Sequence, residues 1–72
     1  MTLAELLDVV LKTEIVYLNK YNDEYGMSEI ILDCEPFENL SSNSEYWSHN
    51  VLWITSMVSI VGQPILQIEI AA

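Results

Sequence analysis

The sequence contains no arginine and only two lysines, against 11 acidic residues, which gives a formal net charge of −9. Proteins hold nucleic-acid phosphates and anionic membrane surfaces mainly through Lys and Arg side chains. We therefore expect neither direct nucleic-acid binding nor membrane binding. An acidic chain of this kind is attracted to basic protein surfaces. The alternative interpretation is that the charge only keeps a small apolar protein in solution.

Cysteine is equally scarce, with Cys34 as the single example. An intrachain disulfide is thereby excluded, and no Cys/His spacing for a structural zinc is present. A lone cysteine, together with a start that lacks a basic leader region, predicts a cytoplasmic location. The neighbouring acids Asp33 and Glu35 oppose ionisation of the Cys34 thiol and therefore its reactivity. We expect a buried, structural cysteine.

Residue constellations for catalysis are few. His49 is the single histidine, and the sequence has no G-x-S-x-G, P-loop or dinucleotide-binding motif. Pairs of carboxylates are common in so acidic a chain, so their spacing carries little information about acid–base catalysis. Residues 22–24 lack the ligand spacing of a calcium loop. We predict that the protein is not an enzyme and that it holds no metal and no cofactor.

The first residues predict an α-helix. Thr2 and Glu5 have the spacing of a capping box. Four apolar residues from Leu3 to Val10 recur at i, i+3, i+4 and i+7, which is typical of one buried helix face. The helix is therefore expected over residues 2–11.

Four later stretches are rich in β-branched and aromatic residues and predict β-strands. Gly26 lies in the turn between the first two, where a positive φ angle is needed. The predicted strands cover residues 13–21, 27–35, 51–61 and 65–70.

With 72 residues the chain forms a single domain, residues 1–72. The first two strands and the last two strands are each expected to pair as antiparallel hairpins. The fold class is α+β, with the N-terminal helix packed on a roughly four-stranded antiparallel sheet.

The predicted strand 51–61 has two apolar faces, and one helix covers only one of them. We expect one face to pack under the helix, which leaves Trp53 and Met57 on the other. A monomer rarely exposes a large apolar patch. We therefore expect these residues to be covered, either by a second copy in a homo-oligomer such as a dimer or by another partner. The other interpretation, left open, is that Trp53 packs under residues 35–48 with Phe37, Tyr46 and Trp47.

Acidic residues are concentrated in the middle of the sequence. Residues 22–45 hold seven of the 11 acids and no basic residue, whereas Glu69 is the only charged residue of 46–72. Exposed loops commonly carry such charges. Alternatively, the carboxylates imitate nucleic-acid phosphates and occupy a basic cleft of another protein, with Phe37 and Trp47 as aromatic contacts. The candidate acids are Asp23, Glu24, Glu29, Asp33, Glu35, Glu38 and Glu45.

Both ends of the sequence resemble a type of small uncharacterised protein encoded by phages, prophages and mobile elements. The shared features are an "LxELL" pattern, here in residues 3–7, a "TEV"-like tripeptide at Thr13–Ile15, and a final alternating run, "PILQIEI". The acidic middle, residues 22–50, departs from this pattern. The resemblance implies an accessory factor of a mobile element that acts by binding.

Two functions are expected from these observations. The first is inhibition or modulation of a nucleic-acid-handling host protein, such as a CRISPR effector, through a basic surface of that partner. The second is a homo-oligomeric accessory protein that uses the apolar face of Trp53 and Met57.

Overall fold

The computed structural model describes residues 1–22 and 26–72. Helix α1 spans Leu3–Leu7 and begins with the predicted capping box. The Thr2 backbone N–H donates to Glu5 Oε1 at 2.9 Å, and the Glu5 backbone N–H donates to Thr2 Oγ1 at 3.3 Å. The helix is shorter than predicted, because it ends at the Asp8 C-cap, just before two β-branched valines.

The capping box makes stability depend on pH at the acid end of the range. Hydrogen bonds from the Thr2 backbone and side chain lower the pKa of the Glu5 carboxyl, so the folded state favours the ionised form. This stabilisation is complete above the pKa of Glu5 in the unfolded chain, and it is lost as the pH falls through the lowered pKa of the folded state.

We expect Glu5→Gln to remove this part of the pH dependence. Chemical denaturation of both proteins from neutral to acidic pH measures the effect. The advantage of the wild type over Glu5→Gln should shrink as the pH falls, and an advantage that stays constant would contradict the assignment.

Four strands form one sheet in the order β2-β1-β4-β3. The strands β1 and β2 pair antiparallel, as do β3 and β4, so both predicted hairpins are confirmed. Gly26, in the first turn, has the expected positive φ of 62°. The strand bounds are Ile15–Asn22 for β1, Met27–Pro36 for β2, Val51–Val58 for β3 and Pro64–Ile70 for β4.

The two hairpins meet through a parallel pair of strands, β1 and β4, in which Val16 lies beside Leu66 and Leu18 beside Ile68. The sheet is therefore mixed, and the expected purely antiparallel sheet is wrong. The cause is the connection from β2 to β3, which contains two 3-10 turns, Phe37–Asn39 and Glu45–Ser48. This segment leads to the far edge of the sheet, so β3 runs in the same direction as β2.

The core lies on one face of the sheet, which we call the helix face. Both Leu3 and Leu6 of α1 are buried there, and Tyr46 and Trp47 of the second 3-10 turn pack against the same cluster. The fully buried members of largest volume are Phe37, Leu3, Leu18, Ile68, Ile70 and Val16.

The opposite face of the sheet, which we call the open face, lies away from α1 and both 3-10 turns. The pairing of β1 with β4 places their odd-numbered residues together on this side. Among the described residues, no helical element packs here. On this side lie Tyr17, Asn19 and Tyr21 of β1 and Ile65, Gln67 and Glu69 of β4, of which Asn19, Ile65 and Glu69 are buried and the other three half-buried.

Candidate protein-binding surfaces

The strand order gives the sheet two edges of opposite character. Strand β2 forms one edge and β3 forms the other. Acidic residues occur in β2 and in each of the two 3-10 turns that come after it in the sequence. Strand β3 contains no charged residue. We call the first surface the acidic edge. It consists of Glu29, Asp33, Glu35, Glu38 and Glu45.

Four residues of the acidic edge are exposed, and Glu35 is half-buried. The Lys20 ammonium lies 3.5 Å from Glu29 Oε2, which is the single ion pair between residues that the structure describes. The same ammonium lies 5.5 Å from the centre of the Tyr46 ring. The acidic edge thus keeps an excess of negative charge next to the solvent.

Glu35 also has a structural task in the acidic edge. Its Oε2 accepts a hydrogen bond from the Asp33 backbone N–H at 3.2 Å, and its Oε1 accepts one from Asn39 Nδ2 at 3.3 Å. These bonds link the end of β2 to the first 3-10 turn. Replacement of Glu35 would therefore disturb local structure as well as charge.

A β-bulge interrupts the acidic edge between Leu32 and Glu35. The corresponding interval of β1 is one residue shorter, and Cys34 adopts a φ of 55°, which is unusual for a residue other than glycine. Contrary to the prediction of a buried thiol, Cys34 is exposed, because the bulge turns the strand away from its regular alternation. Partial desolvation and the adjacent Asp33 carboxylate raise the pKa of the thiol.

The two aromatic residues proposed as partner contacts lie in different surroundings. The Phe37 ring is fully buried, 5.5 Å from the Trp47 ring between centroids, so the structure places it in the core. Trp47 is half-buried, and its Nε1 donates to the Ser41 carbonyl at 2.7 Å. It lines an open depression with Ala4, Leu7 and Ser42. The acids Asp23 and Glu24 lie outside the described residues.

The other surface, the apolar edge, is β3 itself, with exposed Leu52, Trp53, Ile54, Met57 and Val58. Trp53 is 42% exposed and Met57 39%. The expectation that one face of this strand packs under the helix is wrong. The segments that pack on the helix face do not extend over β3 at the edge of the sheet. Burial of Trp53 under residues 35–48 is also wrong, since its partner Glu69 belongs to the open face.

Sequence reasoning missed a polar cluster on the open face. Asn19 of β1 lies beside Glu69 of β4, and the two are 7% and 8% exposed. The Ser28 hydroxyl donates to Glu69 Oε1 at 3.0 Å, whereas Asn19 Oδ1 is buried and finds no partner among the described residues. Only the parallel pairing brings these residues together, and no local signal in the sequence predicts it.

His49 has a structural position at the start of the β3–β4 hairpin. Its Nδ1 lies 2.7 Å from the Ala71 carbonyl oxygen, which only accepts hydrogen bonds, so Nδ1 carries the proton. The ring also meets Tyr46 edge-on, 5.5 Å between centroids. These contacts hold the end of β4 against the segment that precedes β3.

Neither a scan against family models nor searches of curated proteins and solved structures find a match to this chain. The resemblance of its two ends to small phage proteins stays a prediction. Within the described ranges, no helix has the length and apolar character needed to cross a membrane.

Proposed function

We propose that the protein is a protein-binding domain whose acidic edge occupies a basic surface of its partner. The partner of this proposal is a nucleic-acid-handling protein, and the carboxylates take the places of phosphates in its binding cleft. The observation that carries the proposal is the separation of charge across the sheet, with three acids on the edge strand β2, two more in the 3-10 turns that follow it, and none on the opposite edge strand β3.

The binding is expected to be fast and sensitive to salt. Complementary charges raise the association rate more than they raise the affinity. Exposed charges are screened over a Debye length of about 10 Å at 0.1 M salt. Occupation of the cleft then excludes nucleic acid by direct competition, which is how the protein inhibits its partner.

Reversal of two charges tests the proposal. We expect the double variant Glu38→Lys and Glu45→Lys to lose its partner. Both side chains are exposed, and neither accepts a hydrogen bond from another of the residues that the structure describes. The measurement is capture of proteins from a nuclease-treated bacterial lysate on the immobilised domain, with identification by mass. The wild type should retain basic nucleic-acid-binding proteins and release them on addition of duplex DNA or salt.

A matched control separates this surface from net charge. Val58→Lys, Ile60→Lys, Val61→Lys and Gln63→Lys change the net charge by the same amount at exposed positions around the turn between β3 and β4, which β1 separates from β2. This quadruple variant should keep the captured proteins. Capture that survives the Glu38 and Glu45 reversal, or that duplex DNA does not compete, contradicts the proposal.

A further inference from the structure

From Trp53 to Val58, the outer edge of β3 lacks the features that normally protect an exposed strand. Natural edge strands avoid pairing with other chains by means of charged side chains, proline or bulges. The β2 edge has all three, with its acids, the bulge at Cys34 and Pro36 at its end. Strand β3 has a bulge only at its start, between Val51 and Trp53, and the residues from Trp53 to Val58 form a regular, uncharged ladder.

The apolar edge is large enough to matter energetically. The five residues of the apolar edge are each 39–67% exposed. Together they leave on the order of a few hundred Å² of apolar surface exposed, which is comparable to the largest patches on monomers. At the start of the strand the Val51 backbone N–H already donates to the Met1 carbonyl at 2.7 Å. The outward-facing backbone groups of residues 52–58 add hydrogen bonds to that surface.

Charge selects the occupant of this edge. Two copies of a chain with net charge −9 repel each other wherever their acids face. Residues 46–68 contain no Asp, Glu, Lys or Arg, so the β3 side is where two copies approach at least electrostatic cost. An uncharged, apolar strand is also complementary to itself.

We propose that β3 pairs antiparallel with β3 of a second copy, about a two-fold axis at Thr55, to form a continuous eight-stranded sheet. A two-fold axis perpendicular to the sheet keeps the helix faces of both copies on the same side. Residues that lie opposite each other must then belong to the same face. Trp53, Thr55 and Met57 share the open face, because they pair with Glu69, Gln67 and Ile65 of β4.

The register centred on Thr55 makes the most of the apolar edge. It places Trp53 opposite Met57 of the second copy, twice, on the open face, and sulfur–aromatic contacts of this kind are favourable. Thr55 meets its own copy on the axis, and Thr–Thr pairs across strands are also favourable. A register centred on Ser56 would leave Trp53 beyond the end of the paired strand.

The inference is independent of the proposed function, since the two use opposite edges of the sheet. In the dimer the acidic edges lie at the two outer ends of eight strands. With neighbouring strands about 4.8 Å apart, the outermost strands are separated by about 34 Å. A chain that dimerises but binds no basic partner would support the dimer alone. A chain that binds a basic partner as a monomer would support the proposed function alone.

Disulfide trapping tests the register. In a Cys34→Ser background, Thr55→Cys places two thiols opposite each other on the axis, within the range of a disulfide. We expect oxidised glutathione to convert it to a covalent dimer about tenfold or more faster than Ile54→Cys, whose thiol lies opposite Ser56 of the second copy. The combination Ile54→Cys with Ser56→Cys should cross-link again. Rapid cross-linking of Ser56→Cys alone, with none at Thr55→Cys, would overturn the register.

A charge on the axis tests the interface itself. Sedimentation equilibrium should give a dimer for the wild type and a monomer for Thr55→Lys, because two ammonium groups would face each other at the axis. Thr13→Lys is the matched control at an exposed position outside the sheet, and it should remain a dimer. Circular dichroism checks that both variants are folded. A wild type that is monomeric, or a Thr55→Lys variant that stays dimeric, would overturn the proposal.

Discussion

Phe37→Ala is expected to leave most of the protein unfolded at room temperature. Phe37 is fully buried in the core cluster that also contains Leu3 and Leu6 of α1, and its ring packs on Trp47. Truncation of a buried phenylalanine costs about 3–5 kcal/mol, as the lost burial and the cavity add together. A domain of this size has a free energy of unfolding of about 3–5 kcal/mol in total, so one such loss removes nearly all of it.

Urea denaturation followed by far-ultraviolet circular dichroism measures the loss. Phe37→Leu keeps most of the apolar volume and should give an intermediate stability. Ile60→Ala truncates an apolar side chain at a fully exposed site in the β3–β4 turn, and should change the free energy of unfolding by no more than about 0.5 kcal/mol. A folded Phe37→Ala protein with wild-type stability would show that the core does not depend on this ring.

Asn19→Val is expected to raise the free energy of unfolding by about 1–3 kcal/mol. The Oδ1 atom of Asn19 is buried on the open face without a hydrogen-bond partner among the described residues. A buried acceptor in this condition costs about 1–3 kcal/mol, and an apolar replacement removes that cost. Valine also suits a central β-strand better than asparagine.

The control for this variant is Gln67→Val, a polar-to-valine change on the same face at the neighbouring central strand. It changes the β-propensity but removes no buried acceptor that lacks a hydrogen-bond partner. Its increase in the free energy of unfolding should therefore be smaller. Thermal unfolding of both variants compares them. A decrease in stability for Asn19→Val would mean that the amide has a role in the folded state that the hydrogen-bond geometry does not account for.

Local features of the fold were predictable from the sequence. The Thr2–Glu5 capping box, the two hairpins and the alternating faces of β1 and β4 all depend on residues near one another in the chain. Spacing at helical or strand period reports such features directly. The shortened helix is an exception, since the apolar stripe continues past the point where the valines end α1.

Long-range features were not predictable in the same way. The parallel pairing of β1 with β4 joins residues about 50 positions apart, and hydrophobic alternation is the same for parallel and antiparallel neighbours. The exposure of Cys34 follows from a bulge, and a one-residue insertion leaves no mark in the composition. The open edge at β3 follows from strand order, which also decided that Trp53 lies outside the core.

The candidate surfaces were predictable as sets of residues rather than as shapes. The sequence identifies the acidic middle and the apolar strand, and strand order then places them at opposite edges of one sheet. Phe37 illustrates the limit, because an aromatic residue among acids looks like a contact residue until its burial is known. Glu35 illustrates another, since its hydrogen bonds make it part of the framework.

The parallel pair at the centre of the sheet also shapes how the chain folds. Each hairpin is local, but a two-stranded hairpin is at best marginally stable by itself. Joining β1 to β4 closes a loop of about 50 residues, with an entropic cost of about 3.5 kcal/mol. Folding therefore waits on a long-range encounter, and β4, a central strand, is the latest of the four to leave the ribosome. During that wait the β3–β4 hairpin exposes its apolar side chains, so refolding competes with association and slows or fails as the protein concentration rises.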